Sequence, residues 1–269
     1  MSARWSRPWV VIGFLCALAI VGPWLAPYDP TAIPVDPLAQ SRLPSFAHWL
    51  GTDPLGRDIA SRLLAGSRYT LGVAGGAITL ALALGVFVGA LSAMAGGWVD
   101  RLCMRVVDLA LSVPRLVLLL SVIGIWGHPS VPLLVLVLGA SGWFGIGRLV
   151  RQAMRREMAE EHVLAARALG VPRGRLFRQH LLPPVAALVM VWATTAFGQL
   201  ILLEAGLSFL GLGVPAPAPS WGTVLQDVGD VFGNARWLVL GPGLLIALVV
   251  MLVQHAGEAI EPQQAHSAL

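Results

Sequence analysis

Few residues in this chain have the type and spacing that chemistry requires. Six histidines stand at positions 48, 128, 162, 180, 255 and 266, and no two of them make an H-x-x-x-H pair. Cys16 and Cys103 are the only cysteines and make no C-x-x-C pair. A fixed metal site is therefore not expected. The two cysteines, each in or beside an apolar run, read as small core residues or as a single bridge. All 18 Lys-plus-Arg positions are arginine. The phosphate loop of an ATPase needs the lysine of G-x-x-x-x-G-K-S/T, so a standard ATP site is excluded and any ATP must be hydrolysed by a partner. No nucleophile, base and orienting group fall together as an enzyme site would need. Nothing calls for a cofactor.

What remains are ionisable residues within apolar runs. Asp108, Arg115 and Glu204 each sit where hydrocarbon would surround them, and placing an ionised side chain there costs about 2.5–3.5 kcal/mol or more. Such residues mark a function or a structural pairing. Asp108 and Arg115 fall on similar azimuths of one helix but about 10 Å apart along its axis, too far for contact if the helix is straight. Either Asp108 sits at the interface with Arg115 snorkelling towards it, or the two belong to a gate. Glu204 faces a polar path or caps a surface helix.

The elements that hold these residues follow from composition. The chain is 57% hydrophobic and 12% charged, against about 25% charged in a soluble domain. Too little polar surface is left to cover a globule of this size, so much of the exterior should face lipid. The net charge of +4 is too modest to suggest nucleic acid. A bilayer needs about 20 apolar residues per helix. Six stretches qualify, near 9–26, 73–95, 106–126, 131–150, 185–204 and 237–256, with Gly127-His128-Pro129-Ser130 dividing the third from the fourth. The first resembles a signal peptide but lacks an A-x-A cleavage site, which points to an uncleaved anchor. With the N-terminus inside, twelve arginines fall in cytoplasmic segments and five outside, so both termini are expected in the cytoplasm. The expected fold is all-α and polytopic.

Along the second span small residues recur at every fourth position: Ala77, Ala81, Gly85, Gly89, Ala93 and Gly97. Gly85, Gly89 and Ala93 would form the centre of a face that another helix approaches closely, unless the stripe merely reflects the Gly and Ala content of membrane helices. The connection at 151–184, RQAMRREMAEEHVLAARALGVPRGRLFRQHLLPP, is the most informative segment. Met154, Met158, Ala165 and Leu169 recur on one side of a helix that Gly170 should stop in a left-handed conformation, with Pro172 preventing continuation. A second short helix, Arg173 to Leu182, should then meet Pro183-Pro184 at the start of the fifth span. Such a pair is either a rigid docking surface or an amphipathic hairpin lying on anionic headgroups.

Ala165-Ala166, Gly170 and Leu182-Pro183, at this spacing, resemble the E-A-A-x₃-G-x₉-I-x-L-P loop of bacterial ABC importer permeases. Leu164 stands in place of the Glu. His180 stands in place of the Ile, as is usual in the dipeptide, oligopeptide and nickel branch. Gly51-Thr52-Asp53-Pro54-Leu55-Gly56-Arg57-Asp58, Gly96-Gly97-Trp98-Val99-Asp100, Glu204 to Gly213 and Pro219-Ser220-Trp221-Gly222 are similar to the same family, whereas the end around Gln254–Pro262 departs from it. The resemblance implies a six-span permease subunit at the inner membrane that carries no catalytic residue. It would form half of the translocation path for peptides or a related solute such as nickel chelates. Its partners would be a homologous permease, two ATP-binding subunits docking on the 151–184 loop, and an external solute-binding protein. Ala165, Ala166, Arg167, Gly170, Arg173, His180, Leu182 and Pro183 would make the coupling surface, and Glu204, Asp108, Arg115, Gly85 and Gly89 the path or the packing around it. Residues 1–70 would be the anchor span and external segment, 71–256 the permease core and 257–269 a cytoplasmic tail. A membrane scaffold or lipid-surface anchor would explain the spans but not the ordered motifs. Reporter fusions at Pro37 and near Ala218 are expected to signal outside, and fusions at Gly174 and His266 inside; a cytoplasmic signal at Pro37 would overturn the six-span arrangement.

Overall fold

Residues 2–127, 130–229 and 237–260 are described by the computed structural model; among them every regular element is helical, apart from one isolated bridge between Thr52 and Asp58. Helix α1, Ser2–Val21, tightens into a 3-10 turn over Gly22–Leu25, where Pro23 lacks the N–H that another α-turn would use. Helix α2 runs 37 residues, Ile59–Ala95, and starts where the Asp58 carboxylate accepts from the Ser61 N–H at 2.8 Å. The span expected from 73 is the later part of one rod that already begins at Ile59. No proline interrupts it, and the helix stops only at Gly96 and Gly97, both at positive φ. At 1.5 Å per residue α2 is about 55 Å long, well beyond the hydrocarbon layer of about 30 Å.

The partner of the small-residue face is α5, Val131–Glu157. Ala77, Ala81, Gly85, Gly89 and Ala93 are all buried. A Cβ on Gly85 would stand 2.6 Å from that of Ile146, and one on Gly89 would stand 2.6 Å from the Gly147 carbonyl oxygen. From the other side, a Cβ on Gly139 would meet Leu80 at 2.8 Å and the Ala77 carbonyl at 3.0 Å. Ala77, Ala81, Gly85 and Gly89 meet α5 directly and Ala93 is buried, whereas Gly97 lies beyond the end of α2.

The expected third span is not straight. Helices α3, Gly97–Ser112, and α4, Arg115–Trp126, meet at 87°. Val113 is extended, as the residue before a proline prefers, and Pro114 can neither donate a helical hydrogen bond nor fit its ring behind the preceding turn. Gly127 then closes α4 at a φ of 76°, and the Ser130 side chain caps α5.

The loop also departs from the periodicity reading. Helix α5 continues to Glu157, the chain turns over 158–160, and a separate helix α6 covers Glu161–Ala168. The expected single stripe is therefore split: Met154 is 1% exposed, Leu169 is 86% exposed, and Val163 is the residue that α6 turns inward. Helix α7, Arg173–Leu176, passes through a π-helical segment, Phe177–Leu181, into α8, Leu182–Phe209, so the expected second short helix and the fifth span are continuous. Pro183 and Pro184 have no N–H to give, and the wide turn before them absorbs this, with Leu182 N–H donating to the Phe177 carbonyl five residues back. Helices α9, Trp221–Gly229, and α10, Trp237–Ile260, complete the fold.

Four helices, at 59–95, 131–157, 174–209 and 238–258, are long and apolar enough to cross a bilayer; the bent α3–α4 pair makes a fifth, and the 9–26 position holds the shorter apolar helix Val10–Leu25. One apolar core joins α1, α2, α4, α5, α8, α9 and α10, and a second joins the loop end of α2 and α5 to Val163, Leu176 and Leu181. Gly89→Leu must push against backbone, and overpacking of this kind costs about 1–3 kcal/mol. Its thermal midpoint in detergent should fall by several degrees, whereas Gly72→Leu, where a Cβ meets nothing within 4 Å, should melt as wild type does.

Candidate coupling site

The loop owes its shape to the stop after α6. Gly170 has a φ of 78°, its N–H donates to the Arg167 carbonyl at 3.0 Å, and Val171 N–H donates to the Ala166 carbonyl at 3.2 Å. These two bonds form a Schellman motif, which satisfies the last carbonyls of the helix and fixes the direction in which the chain leaves. Pro172 follows, and its carbonyl accepts from Arg175 and Leu176, so α7 starts within two residues of the stop. Val163, Leu176 and Leu181 turn inward onto Met154, Val185 and Val189. The loop is thus joined through apolar packing to α5 on one side and α8 on the other. Outward it shows Ala165, Arg167, Leu169 and Gly170, with Ala166, His180 and Leu182 half-buried and Pro183 exposed in the first turn of α8. The side chain of Arg173 lies outside the described residues. The rings of His162 and His180 face each other at a 42° tilt with centroids 6.1 Å apart, and His162 Nε2 lies 3.4 Å from Glu157 Oε1.

Beside this surface, α5 is clamped to α3. The Asp100 carboxylate, in the first turn of α3, accepts from both Nε and Nη2 of Arg151, from Arg155 Nη2 at 2.7 Å and from the Ser92 hydroxyl. About two helix turns further along α3, Asp108 pairs with Arg148 on an exposed face. The partner of Asp108 therefore comes from α5, not from its own helix. Arg115 does not snorkel towards Asp108 either: its Nη2 donates to the Leu138 carbonyl at 2.8 Å and its Nε to the Ser141 hydroxyl at 3.2 Å. The bend at Pro114 turns α4 away from α3, which removes the straight-helix premise.

Glu204 does not reach the surface of the chain. It is fully buried in α8, takes a hydrogen bond from the Ser208 hydroxyl at 2.6 Å, and is flanked by Thr70 and Ser220. Trp221 closes the same knot: its backbone N–H donates to the Thr70 hydroxyl at 3.1 Å and its indole N–H to the Leu63 carbonyl at 3.0 Å. Gly85 and Gly89 serve the α2–α5 contact. Cys16 and Cys103 are not bridged, and Cys16 is exposed instead of lying in the core.

An ionic cluster at the end opposite the loop escaped the sequence reading. Asp53 is buried and accepts from Arg57 Nε at 2.7 Å, Arg62 Nη1 at 2.5 Å and the N–H groups of Leu55 and Arg57 at 2.9 Å. Asp227 on α9 joins both arginines, at 2.9 Å and 2.6 Å. The signal was the D-x-x-x-R-x-x-x-x-R spacing from Asp53 to Arg62; its distant partner Asp227 carried none.

A helical chain with four or more membrane-crossing helices, two of them joined by an exposed and packed loop, has the architecture of a membrane permease. The chain belongs to the family of binding-protein-dependent transport system inner membrane components, whose profile matches residues 81–266. It is 39% identical over 244 residues to a Brucella suis protein named as a peptide permease, covering 88% of this chain and 78% of that one. It is 36% identical over 264 residues to the nickel transport system permease protein NikC of Escherichia coli, covering 97% and 94%. With the dipeptide transport system permease protein DppC of Alkalihalophilus pseudofirmus it shares 36% over 251 residues, covering 93% and 82%. Its fold is similar to that of the inward-facing MetNI methionine ABC transporter, with a TM-score of 0.62 at 22% identity over 73% of this chain and 95% of that one. The chain is a permease subunit of an ABC importer and a polytopic inner-membrane protein.

Removing Asp53 leaves two arginines to share the Asp227 carboxylate alone, and breaking a buried pair in this way costs up to about 3–5 kcal/mol. Asp53→Ala should therefore lose most of its folded yield in detergent. Arg42→Ala, which breaks an exposed pair with Asp36, should cost under about 1 kcal/mol and leave the yield unchanged.

Proposed function

We propose that this chain forms half of the translocation path of a peptide importer, with the other half supplied by a homologous permease. Both termini face the cytoplasm, residues 1–70 anchor and cover the outer side, 71–256 form the moving core, and 257–269 are a cytoplasmic tail. Two ATP-binding subunits dock on the 151–184 loop through the surface around Ala165, Arg167, Gly170, Arg173 and His180, and hydrolyse the ATP. An external solute-binding protein delivers solute to the opposite end. The observation that carries this reading is the Schellman stop at Gly170 between two helices packed onto the spans. A loop lying passively on headgroups has no need of that stiffness, whereas a surface that must turn a partner's motion into movement of α5 and α8 does. Peptides are the first assignment because the peptide-named and dipeptide-named relatives are similar over most of the chain. Nickel chelates are the second, on the similarity to NikC over 97% of this chain.

A β-branched side chain at positive φ is strained by about 1–2 kcal/mol or more. Nothing lies within 4 Å of a Cβ at Gly170, so the strain is relieved by turning α7 relative to α6. Gly170→Val is expected to insert normally yet abolish uptake, with the ATP-binding subunits no longer driving the pore, while Gly174→Val transports. Wild-type uptake by Gly170→Val at normal expression would mean that this loop is not the coupling element.

A further inference from the structure

The acceptors of Arg115, Leu138 and Ser141, straddle the midpoint of the 131–150 apolar stretch, so the guanidinium sits near mid-depth of the bilayer. Two uncharged acceptors hold its Nε and Nη2, and Nη1 has no hydrogen-bond partner among the described residues. No carboxylate among the described residues lies within ion-pair distance of it. The nearest acid along the chain, Asp108, is engaged by Arg148. The positive charge is thus held in place but uncompensated.

A second observation concerns the backbone beside it. Ser112, Val113 and Pro114, the break between α3 and α4, are all exposed, and Arg115 itself is half-exposed. Irregular backbone at membrane depth survives only against protein or water, because lipid offers its N–H and C=O groups no partner. An arginine at that depth obeys the same constraint, since facing hydrocarbon is costly. Charge and broken backbone are adjacent in the chain, and neither can be left facing lipid.

We infer that Arg115 lines the aqueous translocation path at the break in the third span and is a specificity-determining contact for solutes that carry a carboxylate. The assignment rests on the peptide reading above, since every unmodified peptide ends in a carboxylate and a guanidinium matches that group in shape and charge. Held by Leu138 and Ser141, the side chain is oriented before solute arrives, with Nη1 left to donate. The solute's negative charge would offset the cost of keeping Arg115 ionised, so the contact favours acids over neutral analogues of the same size.

Two measurements on the complete transporter in proteoliposomes test this. In the first, Cys16 and Cys103 are replaced by Ala, Arg115→Cys is introduced, and a charged, membrane-impermeant methanethiosulfonate reagent is applied with and without ATP. Labelling in at least one state is expected; absence of labelling in both overturns the inference and places Arg115 against the partner permease. In the second, uptake of a tripeptide is compared with uptake of its C-terminal amide, after the binding of each to the solute-binding protein has been measured. Arg115→Gln should raise the KM of the free acid about tenfold relative to that of the amide, as loss of one charge-assisted hydrogen bond implies, and Arg115→Lys should recover part of it. Unchanged discrimination between acid and amide in Arg115→Gln overturns the carboxylate contact. If wild type carries neither peptide, the peptide reading falls together with the carboxylate contact, while the labelling still decides whether Arg115 lines the path.

Discussion

The contact between α2 and α5 sets the positions of everything else in the chain. Gly85 and Gly89 leave no room for a side chain against Ile146 and the Gly147 carbonyl, and Gly139 returns the same restriction from the other side. In hydrocarbon, helices gain little from burying apolar surface, because lipid tails are as apolar as leucine; close backbone approach and the dispersion it brings must supply the adhesion. Small residues on both helices are what make that approach possible. With the two rods fixed along most of their length, α3 and α4 can only pack around them, and the loop that continues α5 inherits its position.

At each end of this pair the structure uses charge instead of close packing. Towards the loop, Asp100 gathers Arg151, Arg155 and Ser92, which ties the start of α3 to the last turns of α5. At the other end, Asp53, Arg57, Arg62 and Asp227 tie the start of α2 to α9. Both clusters lie outside the apolar middle, where water and headgroups lower the cost of ionisation, and both join segments far apart in sequence. Arg115 breaks this division of labour, since its charge is held at mid-depth by uncharged acceptors.

Much of the fold could be read from the residues because bilayer physics leaves few choices. Runs such as 131–150 must be helical, and the stretches at 73–95, 131–150, 185–204 and 237–256 do fall on unbroken helices, whereas 106–126 is interrupted at Val113-Pro114. Gly170 announced its own positive φ through its place after a helical run and before Pro172. Bends and continuities were harder to read. Pro114 and Pro183-Pro184 carry the same local warning, yet the first breaks a helix by 87° and the second pair is absorbed by a π turn. What separates them is the upstream chain, where Leu181 and Leu176 are held in a buried cluster while Ser112 and Val113 are held by nothing comparable. The ion pairs were illegible for a related reason. Which arginine meets Asp108 depends on where α5 lies beside α3, and one helix's azimuths hold no information about its neighbour.

The unbroken course of α5 gives the chain a mechanical property. From Ser141, where Arg115 grips it, to Glu157 at the loop is about 24 Å of helix, and from Ser141 back to Val131 is about 15 Å, at 1.5 Å per residue. With α2 locked to α5, a pivot at that grip would carry both rods, amplifying motion towards the longer arm and dividing it towards the shorter one, in a ratio of about 1.6. Displacing the loop by 4 Å would tilt the rod by roughly 10° and shift its far end by only about 2.5 Å. Geared in this direction, a large stroke at the loop arrives at the opposite face as a smaller movement delivered with proportionally greater force.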